Sequence, residues 1–463
     1  MVLLVAVLAC GGNDRDPNGQ PGDPPAAADA GAVPDADVPA ALERCGLDFE
    51  WLDPSTMGKV IASDDSVDPF SIVEATLFGV YLRNEGFPLS RSSDYETHLH
   101  TVRYQTQDRG QTIEATGMVI VPTVDDPEEF PVLLFLHGTT GLNDQCAPSR
   151  NLDDDESPNF QAAALLSLIA SYGYIVVAPD YIGQKATGSA SPELHPYLVG
   201  EPTAIASWDS VRAAKKFVAD LDETEATPGK IAVWGASQGG HAAAFTVRYA
   251  GKYAPEMDIA GAVYSIPPLD LATHWQQGIF SLYSATANII LAFSASADWY
   301  RVDGGLSDVL VSPFDETVPA ALKEECAPET LNHVTDTNQV FTPGIMQANL
   351  QPALGGDPQW NCIVRENTLL TTSVPREELV PALVILGEND TLVETATERA
   401  AFTEMCAQGE NWAYLECEDA EHTEAFYFSL DDALDFLDDR LAGKPMPEGS
   451  CAVAPAQKCS NQP

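Results

Sequence analysis

One serine, Ser237, stands between an apolar run typical of a β-strand and a run typical of a helix. The strand-like run covers residues 230–234 and the helix-like run covers residues 241–248. The serine lies in a G-x-S-x-G pentapeptide over residues 235–239, where small residues leave room for a sharp turn. Strand, tight turn, serine and helix together favour a nucleophile elbow. The alternative is an ordinary strand-to-helix turn, because a chain with 33 glycines contains such pentapeptides by chance.

Strand-like and helix-like segments alternate through most of the chain. Short apolar runs predict strands over 131–136, 174–178, 231–234 and 259–264, and longer runs predict helices over 160–171 and 204–221. Before them, alternating segments over 97–105 and 112–121 predict an antiparallel hairpin that turns around Asp108, Arg109 and Gly110. This order indicates an α/β fold with a mostly parallel central sheet and helices on both faces.

A long insertion interrupts this alternation. About 110 residues, 269–378, separate two core strands, and apolar helix-like pieces occur within them at 279–283 and 289–293. On the carboxyl side of the sheet such an insertion is expected to form a mainly helical cap over the site, since long ordered insertions are usually functional. The alternative is a structural insert that packs elsewhere. With the cap at 269–378, the core comprises residues 42–268 and 379–443.

The residues that a serine nucleophile needs follow it in the expected order. Asp390 comes after a buried-strand pattern over 380–387, and His422 comes after a shorter one over 412–415. In an elbow-type hydrolase the acid and the histidine follow the serine in this order. His422 would accept the proton of Ser237, and Asp390 would orient the imidazole and stabilise its charged form.

Other residues compete for these roles. Four residues after Ser237, His241 is expected to serve packing or support, and His137 is expected to belong to the oxyanion loop. Glu388 is the nearest rival acid, and Glu421 is adjacent to the histidine but is expected to point away. Asp180 ends a strand and could either line the site or cap a turn.

The developing oxyanion needs two backbone N–H donors. One is expected from Gln238, the residue after the nucleophile. The other is expected from Thr139 or Thr140, in the loop that follows the strand over 131–136.

The N-terminus resembles a truncated export signal. Residues 2–9 are wholly apolar but too short to span a bilayer. They lead into Cys10 through a sequence that resembles a bacterial lipoprotein cleavage box, which predicts lipidation of Cys10 and a place in the cell envelope or outside the cell. An ordinary secretory signal with a chance cysteine is the alternative. Residues 11–41, rich in Pro, Gly, Ala and Asp, predict a disordered tether.

Cysteine content and net charge limit the disulfides, metals and partners that the chain can have. Eight cysteines remain besides Cys10, and in an oxidising compartment they predict up to four disulfides. Cys451 and Cys459 are expected to pair within a tail over 444–463. No C-x-x-C pair or clustered histidines appear, so no metal or cofactor is expected. The net charge of −46 argues against nucleic acid or anionic membranes as partners.

Several sequence pieces together resemble the secretory lipase family, of the fungal lipase A type with bacterial relatives, within the alpha/beta-hydrolase superfamily. The pieces are residues 137–141 (His-Gly-Thr-Thr-Gly), 146–149 (Cys-Ala-Pro-Ser), 173–181, 195–200 (His-Pro-Tyr-Leu-Val-Gly) and 235–241. The resemblance covers roughly residues 60 to 440. It implies an alpha/beta-hydrolase fold, a cap over an acyl-binding tunnel and activity on carboxylic esters, including acylglycerols. Thr140 departs from the family, which tends to carry an acidic residue near that position.

Three function classes follow. The first is a lipase or carboxylesterase that acts through Ser237, Asp390 and His422. The second is a serine peptidase on the same fold, such as a prolyl-type aminopeptidase, although no residue indicates a site for a peptide amine or a proline ring. The third is a surface adhesin that retains the fold without catalysis, which an intact serine, acid and histidine set argues against.

Overall fold

The structure is a computed structural model. It describes residues 42–64, 70–152, 154, 157–327, 334–347, 358–377 and 379–463. The predicted signal, Cys10 and the predicted tether lie outside the described residues.

Nine strands form one sheet in the order β1-β2-β3-β5-β4-β6-β7-β8-β9. The strands are β1 (Val60–Asp64), β2 (Thr97–Asp108), β3 (Gln111–Pro122), β4 (Glu128–Leu136), β5 (Ile175–Pro179), β6 (Ala226–Ala236), β7 (Ile259–Ser265), β8 (Ala382–Gly387) and β9 (Trp412–Cys417). From β5 to β9 every neighbouring pair is parallel, whereas β1, β2 and β3 join the sheet in antiparallel pairs. The predicted mostly parallel sheet is therefore confirmed.

Helices connect the strands and cover both faces of the sheet. They are α1 (Ile72–Asn84), α2 (Pro158–Ala170), α3 (Gly200–Ala219), α4 (Gln238–Tyr253), α5 (Leu271–Phe280), α6 (Thr286–Trp299), α7 (Phe314–Leu322), α8 (Pro343–Gln347), α9 (Pro358–Asn367), α10 (Thr395–Ala407), α11 (His422–Phe428) and α12 (Leu430–Leu441). In the part of the chain that the structure describes, no helix is long and apolar enough to cross a membrane.

The hairpin of β2 and β3 forms as the sequence predicts. Asp108 pairs with Gln111, so the turn consists of two residues, Arg109 and Gly110. Both have positive φ, 46° and 69°. Two-residue turns of this kind match the twist of the strands, and glycine adopts the positive φ without steric cost.

Apolar side chains collect in separate clusters on the two faces of the sheet. One cluster holds Trp208 of α3 and Phe245 of α4, and it includes Phe402 of α10. The other holds Leu166 of α2 and Phe426 of α11, together with further residues of α12. Strands buried on both faces need apolar residues at nearly every position, which is the pattern of β8 and of the carboxyl-terminal halves of β4 and β6.

A third cluster lies in the segment between β7 and β8. Helices α5, α6 and α9 contribute Trp275, Phe293 and Trp360 to it. The apolar piece over 279–283 is mostly non-helical, since α5 ends at Phe280. The helices predicted over 160–171 and 204–221 correspond to α2 and α3, which begin two and four residues earlier. The apolar piece over 289–293 lies within α6, as expected.

Eight cysteines form four disulfides, as the sequence predicts in number but not in pairing. The bonds are Cys45–Cys362, Cys146–Cys326, Cys406–Cys451 and Cys417–Cys459. The expected Cys451–Cys459 bond is therefore wrong. The C-terminal tail runs beside β9, with Gln457 bridged to Cys417, so its two cysteines reach two different partners in the core instead of each other.

Candidate active site

The backbone at Ser237 makes a strained turn between β6 and α4. Its φ and ψ are 58° and −121°, a conformation that non-glycine residues rarely adopt. A Cβ at Gly239 would lie 1.8 Å from the carbonyl oxygen of Leu136, and one at Gly235 would lie 1.9 Å from that of Gly239. The two glycines of the pentapeptide are thus required by close backbone approach, which holds the serine at the carboxyl edge of the sheet.

Three side chains from separate loops meet at this turn. The Oγ of Ser237 lies 2.9 Å from Nε2 of His422, and Nδ1 of His422 lies 2.6 Å from Oδ2 of Asp390. All three side chains are buried, with 8%, 6% and 5% of their residue surface exposed. With a proton on Nδ1 donated to Asp390, the free Nε2 can accept the serine proton, which is the arrangement that nucleophilic catalysis requires.

The second carboxylate oxygen of Asp390 is held by the backbone. Its Oδ1 accepts hydrogen bonds from the N–H groups of Leu392 and Val393, at 2.9 and 3.0 Å. The rival acids face elsewhere. Exposed Glu388 accepts from the N–H of Asp419, and exposed Glu421 caps α11 as part of a capping box.

A buried stack of rings lies against the loop that follows β4. His137 stacks on Tyr181 with ring centroids 4.2 Å apart, and Tyr181 stacks on His195 at 5.3 Å. His195 donates from Nδ1 to the carbonyl of Ile182 and accepts from the side-chain amide of Gln238. Burial lowers the pKa of His137 to about 4 and that of His195 to about 3, so both rings remain neutral at physiological pH.

His241 lies on α4 one turn after the serine and points away from it. Its Nε2 contacts the carbonyl oxygen of Asn367 at 2.8 Å, and burial lowers its pKa to about 4. The side chain of Asn367 in turn accepts from the N–H of Gly200. His241 therefore joins α4 to the end of α9, a supporting position rather than that of a base.

Gln238 follows Ser237 directly, and Thr139 and Thr140 lie in the loop after β4. Gln238 is the first residue of α4, so its N–H is one of the helix donors that have no intrahelical partner. Thr139 is buried, and its hydroxyl is hydrogen-bonded to that of Tyr197 at 2.9 Å. Thr140 lines the same cavity as Ser237, and its hydroxyl accepts from Gln184.

Asp180 is bonded to its surroundings rather than to the three side chains at Ser237. One carboxylate oxygen accepts from the N–H of Ser149 at 2.8 Å, and the other accepts from the hydroxyls of Ser149 and Thr116. The carboxylate thereby ties β3 and the segment over 146–149 to the end of β5. Because it is fully buried, its pKa rises from 3.8 to about 6.

Asp180 is expected to make the protein less stable as pH rises from 4 to 7. A raised carboxyl pKa means that the folded protein binds the proton more tightly, so the stabilisation is complete below pH 4 and is lost as pH passes through 6. The free energy of unfolding of the wild type, minus that of Asp180→Asn, should fall by roughly 2–3 kcal/mol over this range. Urea unfolding at both pH values measures it. The exposed variant Asp126→Asn should give a flat difference, and a flat difference for Asp180→Asn would contradict the burial argument.

Two cavities share Ser237 as a lining residue. One is mostly apolar and lies between the sheet and α2; its lining includes Met118, Phe135, Leu165, Leu166, Ile266 and Phe426. The other lies under α5 and α6; its lining includes Leu271, His274, Trp275, Tyr283 and Ile289. Ser237 therefore borders both cavities.

Among the described residues, two groups bring three potential metal ligands within 4.8 Å of one another. The first contains Cys45 and Cys362, which are bonded to each other and cannot ligate. The second contains His98, His100 and Glu223. This corrects the expectation that no histidine ligands cluster, because alternate residues of a strand lie on one face.

Comparisons with known proteins place lipases among the relatives of this chain. A family model described as secretory lipase matches residues 160–449. The chain is 26% identical to a Mycobacterium tuberculosis protein named probable inactive lipase MT1628, over 74% of this chain and 73% of that protein. It is 24% identical to lipase A of Arthroderma benhamiae, over 79% of this chain and 76% of that protein.

Solved structures of hydrolases share the fold. The rice cell wall degrading esterase LipA from Xanthomonas oryzae superposes with a TM-score of 0.66 at 19% identity, covering 84% of this chain and 99% of that one. Lipase A of Candida antarctica superposes with a TM-score of 0.63 at 18% identity, covering 86% and 85%. These likenesses confirm the predicted alpha/beta-hydrolase fold. The peptidase alternative finds no support among the relatives named here.

Proposed function

The chain belongs to the secretory lipase family, and from this premise we propose that it is a serine hydrolase of carboxylic esters. The observation that carries the proposal is the chain of contacts from Ser237 Oγ to His422 Nε2, at 2.9 Å, and from His422 Nδ1 to Asp390 Oδ2, at 2.6 Å. Ser237 is the nucleophile, His422 the general base and acid, and Asp390 the residue that orients the imidazole.

The reaction proceeds through an acyl-enzyme. His422 takes the proton of Ser237 as the hydroxyl oxygen attacks the ester carbonyl carbon, and it gives that proton to the leaving alcohol as the carbon–oxygen bond breaks. Water, activated by the same imidazole, then attacks the acyl group on Ser237 and releases the carboxylic acid. Asp390 stays ionised and stabilises the imidazolium in both halves of the cycle.

Backbone donors stabilise the oxyanion of each tetrahedral intermediate. The N–H of Gln238 provides the first, helped by its place at the positive end of α4. The N–H of Thr139 or Thr140 provides the second. The buried contact between Gln238 and His195, at 2.6 Å, fixes the side chain of Gln238 and so keeps its backbone in register with the serine. Loss of one donor would cost about 3 kcal/mol of transition-state stabilisation.

The substrate is an ester with an apolar acyl group, such as an acylglycerol. The cavity between the sheet and α2 exposes aliphatic and aromatic side chains beside Ser237, and Leu165, Leu166 and Phe426 represent its lining. Burial of an acyl chain there is worth about 0.8 kcal/mol for each methylene. The cavity under α5 and α6 receives the alcohol portion. We propose no nucleic acid partner, and a membrane partner only through a lipidated N-terminus.

The segment over 269–378 acts as a cap on the site. Its helices α5 and α6 contribute the side chains over the second cavity, including Leu271 and Ile289. Two disulfides tie it to the core: Cys146 bonds Cys326 and Cys45 bonds Cys362.

The protein is exported. Four disulfides fit an oxidising compartment, and the family is described as secretory. We further propose that Cys10 is lipidated and anchors the catalytic domain to a bacterial cell envelope through the tether over 11–41.

Hydrolysis of p-nitrophenyl esters from acetate to palmitate tests the proposal. The wild type should turn over these esters, with rates that rise with acyl length, while Ser237→Ala should lose almost all activity. A fluorophosphonate probe should label the wild type on one peptide, the one that contains Ser237, and should not label Ser237→Ala. Glu388→Gln, a change at an exposed residue, serves as the matched control and should behave as wild type. A folded protein that neither turns over any ester nor reacts with the probe would refute the proposed function.

A further inference from the structure

Three side chains converge at the sheet edge opposite the nucleophile. His98 and His100 are alternate residues of β2, and Glu223 lies in the loop between α3 and β6. The histidines flank Leu99, which pairs with Ile120 of β3, and Ile120 pairs with Val176 at the start of β5. The cluster therefore lies at the end of the sheet where the parallel strands begin. Ser237 instead follows the carboxyl end of β6. This cluster is therefore separate from the hydrolase site.

Two of the distances among the three side chains are close to those between ligands of a bound metal ion. Nδ1 of His98 lies 3.3 Å from Oε1 of Glu223, and Nε2 of His100 lies 3.0 Å from the same oxygen. Two ligands of a tetrahedral zinc ion, each about 2.0–2.1 Å from the metal, are separated by about 3.3–3.4 Å. The two observed separations are close to this value without any movement of the backbone.

The surrounding structure holds the histidines in place. His100 is buried, and the edge of its ring meets Phe217 of α3 with centroids 5.0 Å apart. The rings of His98 and His100 lie 4.6 Å apart on the same face of β2. The strand itself is fixed by its pairing with β3, where His98 lies opposite Val121.

The loop that carries the carboxylate is also fixed. The hydroxyl of Thr224 donates to the carbonyl of Pro122 at 2.8 Å and accepts from the N–H of Val124. The N–H of Glu225 donates to the carbonyl of Val124 at 2.9 Å. Glu223, between these anchors and α3, keeps about 40% of its side-chain surface exposed. Solvent can therefore reach the cluster and supply a further ligand.

We propose that His98, His100 and Glu223 bind one divalent transition-metal ion, with Zn²⁺ as the best fit. Two imidazoles and one carboxylate suit Zn²⁺, whereas Ca²⁺ and Mg²⁺ prefer sets made of oxygen ligands. The remaining position takes a water molecule. The ion links β2 to the loop before β6, so its role is to stabilise the fold and not to act on the ester.

Zinc binding to the full chain tests the proposal. Protein freed of metal with EDTA is titrated with ZnCl₂ in excess Ca²⁺, which occupies unspecific sites on the acidic surface. We expect one zinc ion for each chain at this site and a rise in Tm of about 3 °C when zinc exceeds its Kd a hundredfold. His98→Ala and Glu223→Gln should each weaken zinc binding at least tenfold and so reduce the rise in Tm by about half or more at the same zinc concentration.

Two controls separate this site from others. Glu129→Gln, a change at an exposed carboxylate on β4, should bind zinc as the wild type does. His422→Ala removes any zinc held at the ester site and should also keep the rise in Tm. The proposal would be overturned if zinc binding and Tm did not change in His98→Ala and Glu223→Gln. It would also be overturned if Ca²⁺ displaced the zinc. Because no readout is ester hydrolysis, this result is independent of the proposed function.

Discussion

Replacement of His422 by alanine is expected to lower kcat on a p-nitrophenyl ester by about 10⁶-fold. The imidazole is the group within hydrogen-bonding distance of the Ser237 hydroxyl, at 2.9 Å, so without it the serine proton has no acceptor. Alanine is a good residue for the first turn of α11, whose start is held by the capping box of Glu421 and Glu424. The variant should therefore fold.

A double variant tests whether the serine and the histidine act as one unit. Ser237→Ala combined with His422→Ala should be no slower than either single variant, because each single change already removes the whole nucleophile. Circular dichroism and Tm of the purified variants show whether folding is retained. If the two losses multiplied, or if His422→Ala kept wild-type kcat, His422 would not be the base.

Replacement of Asp390 by asparagine is expected to lower kcat by about 10⁴-fold while the fold is retained. The two N–H groups of Leu392 and Val393 need an acceptor, so the amide oxygen of the asparagine takes the place of Oδ1. The NH₂ group is thereby directed at Nδ1 of His422. The imidazole must then carry its proton on Nε2, which can no longer accept the serine proton.

Glu388→Gln is the matched control for Asp390→Asn. Glu388 is exposed and two residues away in the chain, and its carboxylate accepts from the N–H of Asp419. A surface change of this kind should alter kcat by no more than about twofold. Full activity in Asp390→Asn together with a loss in Glu388→Gln would reverse the assignment of the acid. Steady-state kinetics of both variants at one pH decide between them.

One relative is named a probable inactive lipase, so these measurements decide whether this chain is active. Family membership is shown by similarity over most of the chain, and similarity of this kind is compatible with the loss of activity. Activity depends on the positions of a few atoms instead. Here the histidine lies within hydrogen-bonding distance of both the serine and the carboxylate.

Local sequence determined the elbow, the hairpin and the alternation of strands and helices. The turn at Ser237 is restricted by short-range sterics, since a Cβ at Gly235 would collide with the backbone of Gly239. The hairpin follows from a turn in which Arg109 and Gly110 take positive φ. The meeting of Ser237, Asp390 and His422 could be predicted because each follows a strand, and parallel strands bring their carboxyl ends to one edge. Each of these features depends on a few consecutive residues or on strand order.

Tertiary structure alone decided which distant residues meet. Cys459 pairs with Cys417 rather than Cys451 because the tail lies beside β9. Asp180 meets Ser149, and Glu223 meets His98 and His100, only because separate connections end at the same place on the sheet. The spacing of these residues along the chain does not specify such contacts. They are set by strand order, register and the packing of loops, which depend on the whole buried core.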